Sequence, residues 1–384
     1  MAVAVPGTGS STSRTLTRRS LLGLLGCGAG GAVLAGCGSA TPGAHESSAA
    51  ISVTDQRGKK LTFARPVRRV VTIPMPAAAM FISVDESADH LVGMHKVSWL
   101  AIRDGVMGQM FPRANKIAHG IADQEFAPNV ESVLALNPDL VVQWGDEGSG
   151  IIAPLENAGL KVLGLTYGTQ QDLDVWINLF GTLLGKQARA KRMVAWSHAR
   201  LAEMKAARPP GPAPKILYFN RFVGGYKVAT KNTYNDFYIT LVGGTNPASG
   251  PHGLHGNGMA GVDVEQVLAW DPDIVLLGNF DAAMPDDVYG NKVLRDMSAV
   301  RTRRVYKVPL GGYRWDPPSQ ESPLMWRWLS LVAFPAGKRV DLRGEIVKDY
   351  RFLYGRTPTD AQIDEILWLE ANGASANYKQ FHAA

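Results

Sequence analysis

The chain reads as an α/β protein: two Rossmann-like lobes with parallel sheets, joined by one long rigid α-helix, with a ligand cleft between the lobes. Three observations lead there. A short stretch occurs twice, Asn129-Val-Glu-Ser-Val-Leu-Ala-Leu-Asn-Pro-Asp-Leu-Val-Val142 returning as Asp263-Val-Glu-Gln-Val-Leu-Ala-Trp-Asp-Pro-Asp-Ile-Val-Leu276. Runs rich in β-branched residues alternate with helical stretches at the spacing of a doubly wound sheet. A long helical region separates the two copies, so each belongs to its own lobe. A cleft between such lobes is where a small molecule would be held.

Residues 1–36 read as an export signal. Thr17-Arg-Arg-Ser-Leu-Leu22 is a twin-arginine pattern, and the glycine-rich apolar run from Leu21 to Cys37 is about 17 residues long. A spanning helix needs roughly 20. Leu34-Ala-Gly-Cys37 has the form of a lipoprotein cleavage box, with Cys37 taking the lipid. The chain has only two cysteines, and cleavage would discard Cys27. No disulfide is then possible, and no thiolate is left for catalysis or metal binding. Residues 37–50 are small, polar and aperiodic, as suits a flexible tether. The expected location is therefore the periplasm or the outer face of the cell membrane, lipid-anchored to its surface.

The first lobe is expected over residues 51–185. Arg69-Val-Val-Thr-Ile73 reads as a buried strand stopped by Pro74-Met-Pro76, and Leu91-Val-Gly-Met94 as another. In the first copy of the repeat Asn129 caps a short helix with Glu131 in its first turn, Pro138 ends it, and a strand follows. Leu160-Lys-Val-Leu-Gly-Leu165 reads as one more strand. Trp176, Leu179, Phe180, Leu183 and Leu184 then form one apolar helical face.

After Gly185 a bridging helix is expected over 186–208, with Ala190, Val194, Ser197, Leu201 and Met204 in register until Pro209-Pro210. A single helix is a stiffer connector than a loop and predicts lobes that rock slightly rather than swing. The second lobe, 209–384 with its C-terminal helices, repeats the plan. Lys215-Ile-Leu-Tyr-Phe219, Asp273-Ile-Val-Leu-Leu277 and Arg304-Val-Tyr-Lys-Val308 are its strands. Tyr234, Phe237, Tyr238 and Leu241 mark a helix that Gly243-Gly244 stops.

The formal charge is +6. Loss of Arg14, Arg18 and Arg19 with the signal leaves 37 basic residues against 34 acidic, or +3. That is too little, and too evenly spread, for a nucleic-acid partner.

Ligands of open α/β sheets sit beyond the carboxyl ends of the strands. Those loops carry Met75, His95 to Trp99, Trp144-Gly145 and Tyr167 in the first lobe. In the second they carry Asn220-Arg-Phe-Val-Gly-Gly-Tyr226, Asn279-Phe280 and Leu310-Gly-Gly-Tyr-Arg-Trp-Asp316, with Arg221, Tyr226, Tyr313, Arg314 and Trp315 as the candidates. Aromatic faces would bury a large planar or chelate ligand, and Arg221 and Arg314 would pair with its anionic oxygens. The competing reading for each tryptophan or tyrosine is a core residue at a strand end.

Two motifs are set aside. Gly256-Asn-Gly-Met-Ala-Gly261 has the letters of a dinucleotide fingerprint but no strand before it. His252 and His255 lie in a glycine-rich loop without a third ligand nearby, so a solvated loop is the better reading. No nucleophile elbow, His-Glu-x-x-His or phosphate loop occurs, so no enzyme and no cofactor is indicated.

The signal with its lipobox, the duplicated Val-Glu-x-Val-Leu-Ala-x-x-Pro-Asp unit, Leu183-Leu-Gly-Lys186, Trp315-Asp-Pro-Pro-Ser-Gln-Glu-Ser322 and Tyr350-Arg-Phe-Leu-Tyr-Gly355 form a recognisable set. Together they resemble the substrate-binding lipoproteins of ABC importers for ferric siderophores, haem and cobalamin, from about Ile51 to about Leu367. The resemblance implies two lobes bridged by one helix, a ligand in the cleft, and one surface glutamate per lobe that docks onto arginines of the permease. Residue by residue, those glutamates are Glu131 and Glu265; the alternative is that each only complements its helix dipole. An iron chelate, a ferric siderophore, is the leading ligand, with cobalamin, haem and a nickel chelate as alternatives. In the nickel case Tyr313 or Tyr226 would reach the metal with His95 or His255. A secreted α/β enzyme using the same cleft is the remote alternative.

Overall fold

The computed structural model describes residues 50–207, 211–250, 258–336 and 340–383. The signal, Cys37, nearly all of the tether, Pro209-Pro210, His252 and His255 lie outside the described residues. The described chain opens with an antiparallel hairpin, β1 (Ile51–Thr54) and β2 (Lys60–Phe63). A four-stranded sheet follows, built from β3 (Val70–Thr72), β4 (Leu91–Met94), β5 (Leu140–Trp144) and β6 (Val162–Leu165) in the order β4-β3-β5-β6, all parallel. The second sheet holds β7 (Ile216–Arg221), β8 (Tyr226–Ala229), β9 (Met259–Val262), β10 (Ile274–Leu277) and β11 (Val305–Lys307) in the order β11-β10-β7-β8-β9. Its centre is parallel as expected, but β8 and β9 are antiparallel. The reason is local. Gly224 and Gly225 take φ of 74° and 123°, a left-handed turn that folds the chain straight back after β7.

The helices that matter here are α1 (Ala77–Asp85), α2 (Lys96–Asp104), α3 (Val130–Ala135), α4 (Gln170–Leu183), α5 (Gln187–Ala206), α6 (Tyr234–Leu241), α7 (Val264–Trp270), α8 (Ser322–Ala333) and α9 (Leu342–Tyr354). No helix among the described residues is long and apolar enough to cross a membrane.

The duplicated segment folds the same way twice. The Asn129 side chain accepts from Ser132 N at 3.0 Å and Asp263 from Gln266 N at 2.8 Å, capping α3 and α7. Each helix is followed by a left-handed residue, Asn137 (φ 44°) and Asp271 (φ 40°), ahead of its proline. The aspartate after that proline then pins the neighbouring strand. Asp139 accepts from Arg68 N and Arg69 N at 2.7 and 3.1 Å, and Asp273 from Lys215 N at 2.7 Å. Arg69 and Lys215 return the contact by donating to carbonyls at the ends of α3 and α7. Each is a cation at a helix C-terminus, where the dipole favours it.

The apolar core has three parts. One cluster lies outside the first sheet, around Val71, Val133, Val141 and Leu155. A second lies outside the second sheet, around Leu217, Phe219, Val275 and Val288. The third is continuous across both sheets, taking Val70, Leu140 and Leu163 from one and Ile216, Leu276 and Tyr306 from the other, with α1, α4, α8 and α9.

Between the sheets α4 opens with a capping box, Thr169 and Asp172, and breaks at Gly185 (φ 71°). A β-carbon at Gly181 would collide with Ala190, so glycine is what lets α4 and α5 approach so closely. Near the start of α5, Arg189 donates to Ser83 O and Val84 O at the end of α1 and to Phe352 O and Leu353 O at the end of α9. Ser83 Oγ also donates to Leu353 O at 2.9 Å. The chain's late helix α9 therefore returns to rest on α1, a tie between early and late chain additional to α5.

Candidate functional site

Two chambers open between the carboxyl ends of the sheets. One, of about 240 Å³, is lined by Met75, Phe126, Trp144, Asp146, Glu147 and Tyr167 from the first side and Phe280, Tyr313 and Pro317 from the second. The other, of about 270 Å³, shares Tyr167, Phe280 and Pro317 with it and extends towards Tyr218, Asn220, Asn235 and Asp316. A larger cavity of about 590 Å³ lies aside, lined by acidic residues such as Asp104, Asp286 and Glu365 and by Trp368. Much of its wall is the segment from Asp364 to Ala371, whereas the paired chambers are walled by residues at or just past the ends of β5, β6, β7 and β10, so they are the better candidate.

Sequence and sheet geometry account for the walls. The strand β5 ends at Trp144 and β6 just before Tyr167, so both rings meet beyond the sheet, 5.7 Å apart. Trp176 on α4 backs them at 6.0 and 5.4 Å, and Phe126 meets Trp144 edge-on at 5.6 Å. Phe126 is held by Gln143, a fully buried amide on β5 that donates to Phe126 O at 3.0 Å. The Tyr167 hydroxyl crosses to Pro318 O at 2.6 Å. Burial pushes the Tyr167 phenol well above its ordinary range, so it acts as a neutral donor.

On the second side Asp316 is fully buried. It accepts from the Tyr218 hydroxyl at 2.7 Å, Asn279 N at 3.1 Å and Asn279 Nδ2 at 3.2 Å, and its carbonyl accepts from Asn235. Tyr313 is different. Its ring is fully buried, and its hydroxyl makes no well-formed hydrogen bond, with the Arg314 guanidinium beside it. Burial raises its pKa, against the pull of the Arg314 guanidinium. A buried hydroxyl so weakly engaged at a chamber wall suits a ligand donor or acceptor.

Of the residues named on the strand-end loops, Met75, Trp144, Tyr167, Phe280 and Tyr313 line the first chamber, and Asn220 and Asp316 the second. Arg314 stands behind Phe280, 4.7 Å from its ring, and donates to Asn279 O (3.1 Å) and Val97 O (3.2 Å). Its charge thus ties the second side to α2, on the first. Trp315 faces away, fully buried, with its indole N–H on Glu321. Trp99 stacks on His119 at 4.1 Å under Arg103 and donates to Asn115 O. Tyr226 packs on Phe219 and Phe222 at the β7–β8 turn, and Arg221 is exposed at the same turn. None of these five lines either chamber. The His95 ring is occupied at both nitrogens, Nδ1 accepting from Val97 N and Nε2 on Asp123 O. Glu131 and Glu265 are both exposed, in the first turns of α3 and α7.

Asp146, Glu147 and Phe126 were not anticipated. Their signal was available: Asp146 and Glu147 follow β5 directly, and Gln143 is a lone amide in an apolar strand. Among the described residues neither chamber is lined by an arginine or lysine, and no group of three or more His, Cys, Asp or Glu is arranged to hold a metal ion.

Comparison with known proteins places this geometry. A family model described as periplasmic binding protein matches residues 122–310. The crystal structure of a periplasmic solute-binding protein from Veillonella parvula is 31% identical, with a TM-score of 0.76, covering 84% of this chain and 98% of that one. A cobalamin-binding protein of Halobacterium salinarum is 25% identical over 279 residues, 71% of this chain and 72% of the relative. The molybdate-binding protein MolA of Haemophilus influenzae, solved with molybdate, shares the fold at 19% identity and a TM-score of 0.69, covering 80% and 99%.

Proposed function

The chain belongs to the periplasmic binding protein family, and from that premise we propose that it is the lipid-anchored ligand-capturing subunit of an ABC importer whose cargo is a metal chelate. The chelate would sit across the two chambers, and Glu131 and Glu265 would dock the loaded protein on the permease. Cys37 would carry the lipid. The observation that carries the ligand class is the lining: aromatic faces and a weakly engaged Tyr313 hydroxyl, without a metal-binding cluster among the described residues. Such walls suit the large apolar surface of a chelate better than a bare ion, which needs several converging donors.

Charge narrows the class further. Asp146 and Glu147 line one chamber, and Arg314 is committed to two carbonyls. An iron chelate that is uncharged or cationic, such as a ferric trihydroxamate, fits this better than a strongly anionic one. A corrinoid is the second reading, favoured by the cobalamin-binding relative and by the fit of its amide donors to acceptor-rich walls.

The test is a titration of the mature protein, followed by tryptophan fluorescence, with a ferric trihydroxamate, cyanocobalamin, a ferric tricatecholate, haemin, molybdate and free Ni²⁺. The trihydroxamate or the corrinoid should bind tightest and quench Trp144. Tyr313→Phe should weaken that binding by about 0.5–1.5 kcal/mol, the worth of a neutral hydrogen bond. Tightest binding of molybdate or free Ni²⁺ would sink the chelate reading, and tightest binding of the tricatecholate its charge assignment.

A further inference from the structure

The Gly311–Trp315 loop carries Tyr313 to the wall of the cleft, and a buried carboxylate lies behind it. Glu321 is fully buried. Its carboxylate accepts from Gly312 N (2.9 Å), the Trp315 indole N–H, the Tyr350 hydroxyl (3.1 Å) and the Tyr354 hydroxyl. Gly312 N also reaches the Tyr350 hydroxyl at 3.0 Å, and Gln320 donates to the Tyr354 hydroxyl at 2.8 Å. A β-carbon at Gly311 would collide with Glu321 Oε2 and the Tyr350 hydroxyl, and one at Gly312 would fall 2.6 Å from Glu321 Oε1. The two glycines are what allow the loop to lie on the carboxylate.

The contacts bracket the cleft side chain Tyr313. Gly312 and Trp315 lie on either side of Tyr313 in the chain, so fixing both fixes the direction in which its ring points. The tyrosines come from α9, which rests on α1 through Ser83 and Arg189. We propose that Glu321 is a positioning residue for ligand capture: its carboxylate fixes the Gly311–Trp315 loop against α9 and so aims Tyr313 at the cleft. This inference rests on the cleft being the ligand site.

The arrangement makes the aim depend on ionisation. The groups facing the carboxylate are Gly312 and Trp315 from the loop and Tyr350 and Tyr354 from α9, all donors, and no cation pairs with it among the described residues. Burial pushes the Glu321 carboxyl up to about 7, against the pull of those donors. Above that pH the ionised group accepts from all of them. Below it the carboxyl carries its own proton, so a tyrosine hydroxyl must turn to accept it or a contact must open, and the hold on Gly312 N and the Trp315 indole weakens with the lost charge. Ligand affinity therefore falls as pH falls through about 7.

The experiment measures the Kd of a ferric trihydroxamate at pH 8.5 and 5.5 for the parent, Glu321→Gln and Glu321→Ala, alongside the Gly312 amide and Trp315 indole NMR resonances of ligand-free protein across the same range. The parent should bind about tenfold more weakly at pH 5.5, the worth of one charge-assisted hydrogen bond. Glu321→Gln should bind at both pH values as the parent does at 5.5, and its two resonances should not titrate. A pH slope in Glu321→Gln equal to the parent's, or parental resonances that stay flat through pH 7, would overturn the inference. The NMR arm needs no ligand. Titrating resonances with no trihydroxamate binding at either pH would instead fault the ligand assignment.

Discussion

Replacing Arg189 by methionine should destabilise the whole body far more than a helix-surface change does. The arginine is 9% exposed, near the start of α5, and its donors meet carbonyls from the ends of two other helices. Its shortest contacts are Nη2 to Leu353 O at 2.7 Å and Nη2 to Ser83 O at 2.8 Å. A hydrogen bond to a charged group is worth about 1.5–3 kcal/mol net, and these two set the scale at about 3–6 kcal/mol. The ion pair with Glu86, at 3.3 Å, adds little because the glutamate side chain is 42% exposed. Burial lowers the Arg189 pKa, so part of the gain already offsets desolvation, and about 3 kcal/mol is the expected loss. Methionine keeps the stem packing, so the measured difference reports the guanidinium. Urea unfolding followed by far-UV circular dichroism measures it. Arg189→Lys should fall between, since an ammonium cannot reproduce the planar fork that reaches both helix ends. A loss below about 1 kcal/mol for the methionine variant, with an unchanged m value, would refute the claim that this residue staples α1 to α9.

Glu131→Gln and Glu265→Gln should leave ligand affinity unchanged while slowing uptake through the permease, most in the double variant; parental uptake by the double variant would make the duplicated helices structural only. Cys37→Ala should move the protein from the membrane fraction to the soluble fraction, and unchanged fractionation would remove the lipid. Asp139→Ala should cost about 2–4 kcal/mol of stability and Asp273→Ala somewhat less, because the first accepts two amides and the second one. Equal and negligible losses in denaturant melts would separate those aspartates from the strand starts.

The duplicated segment was the most legible part of the chain because each of its signals acts locally. Caps at Asn129 and Asp263 and prolines at 138 and 272 constrain only neighbouring backbone, and both helices and both strands lie where those residues put them. The break at Gly185 is equally local. The antiparallel β8 and β9 were missed because a short half-exposed strand carries no periodicity strong enough to separate it from loop. Site residues were harder still. Trp315 and Tyr313 are two residues apart in one aromatic loop, yet one indole points at Glu321 and the other ring borders the cleft. What decides between them is a buried acid and two tyrosines from a helix about thirty residues on, and no local pattern encodes that. Arg314 likewise reads as a free anion receptor until Val97 O and Asn279 O are found beside it.

The core that runs unbroken through both sheets has a consequence at the bench. Because Leu140 and Ile216 belong to one apolar cluster, neither lobe can melt and leave the other's interior dry. Heating should therefore give one sigmoid, not two. A cargo molecule held only in the cleft will then lift the melting point of the entire body. At a hundredfold excess over Kd the gain is about 2.7 kcal/mol. Spread over an unfolding entropy of about 2.1 cal/mol/K per residue, that is a shift of about 4 °C. A dye-based melt across a library of metallated compounds would thus find the cargo without any tryptophan having to sense it.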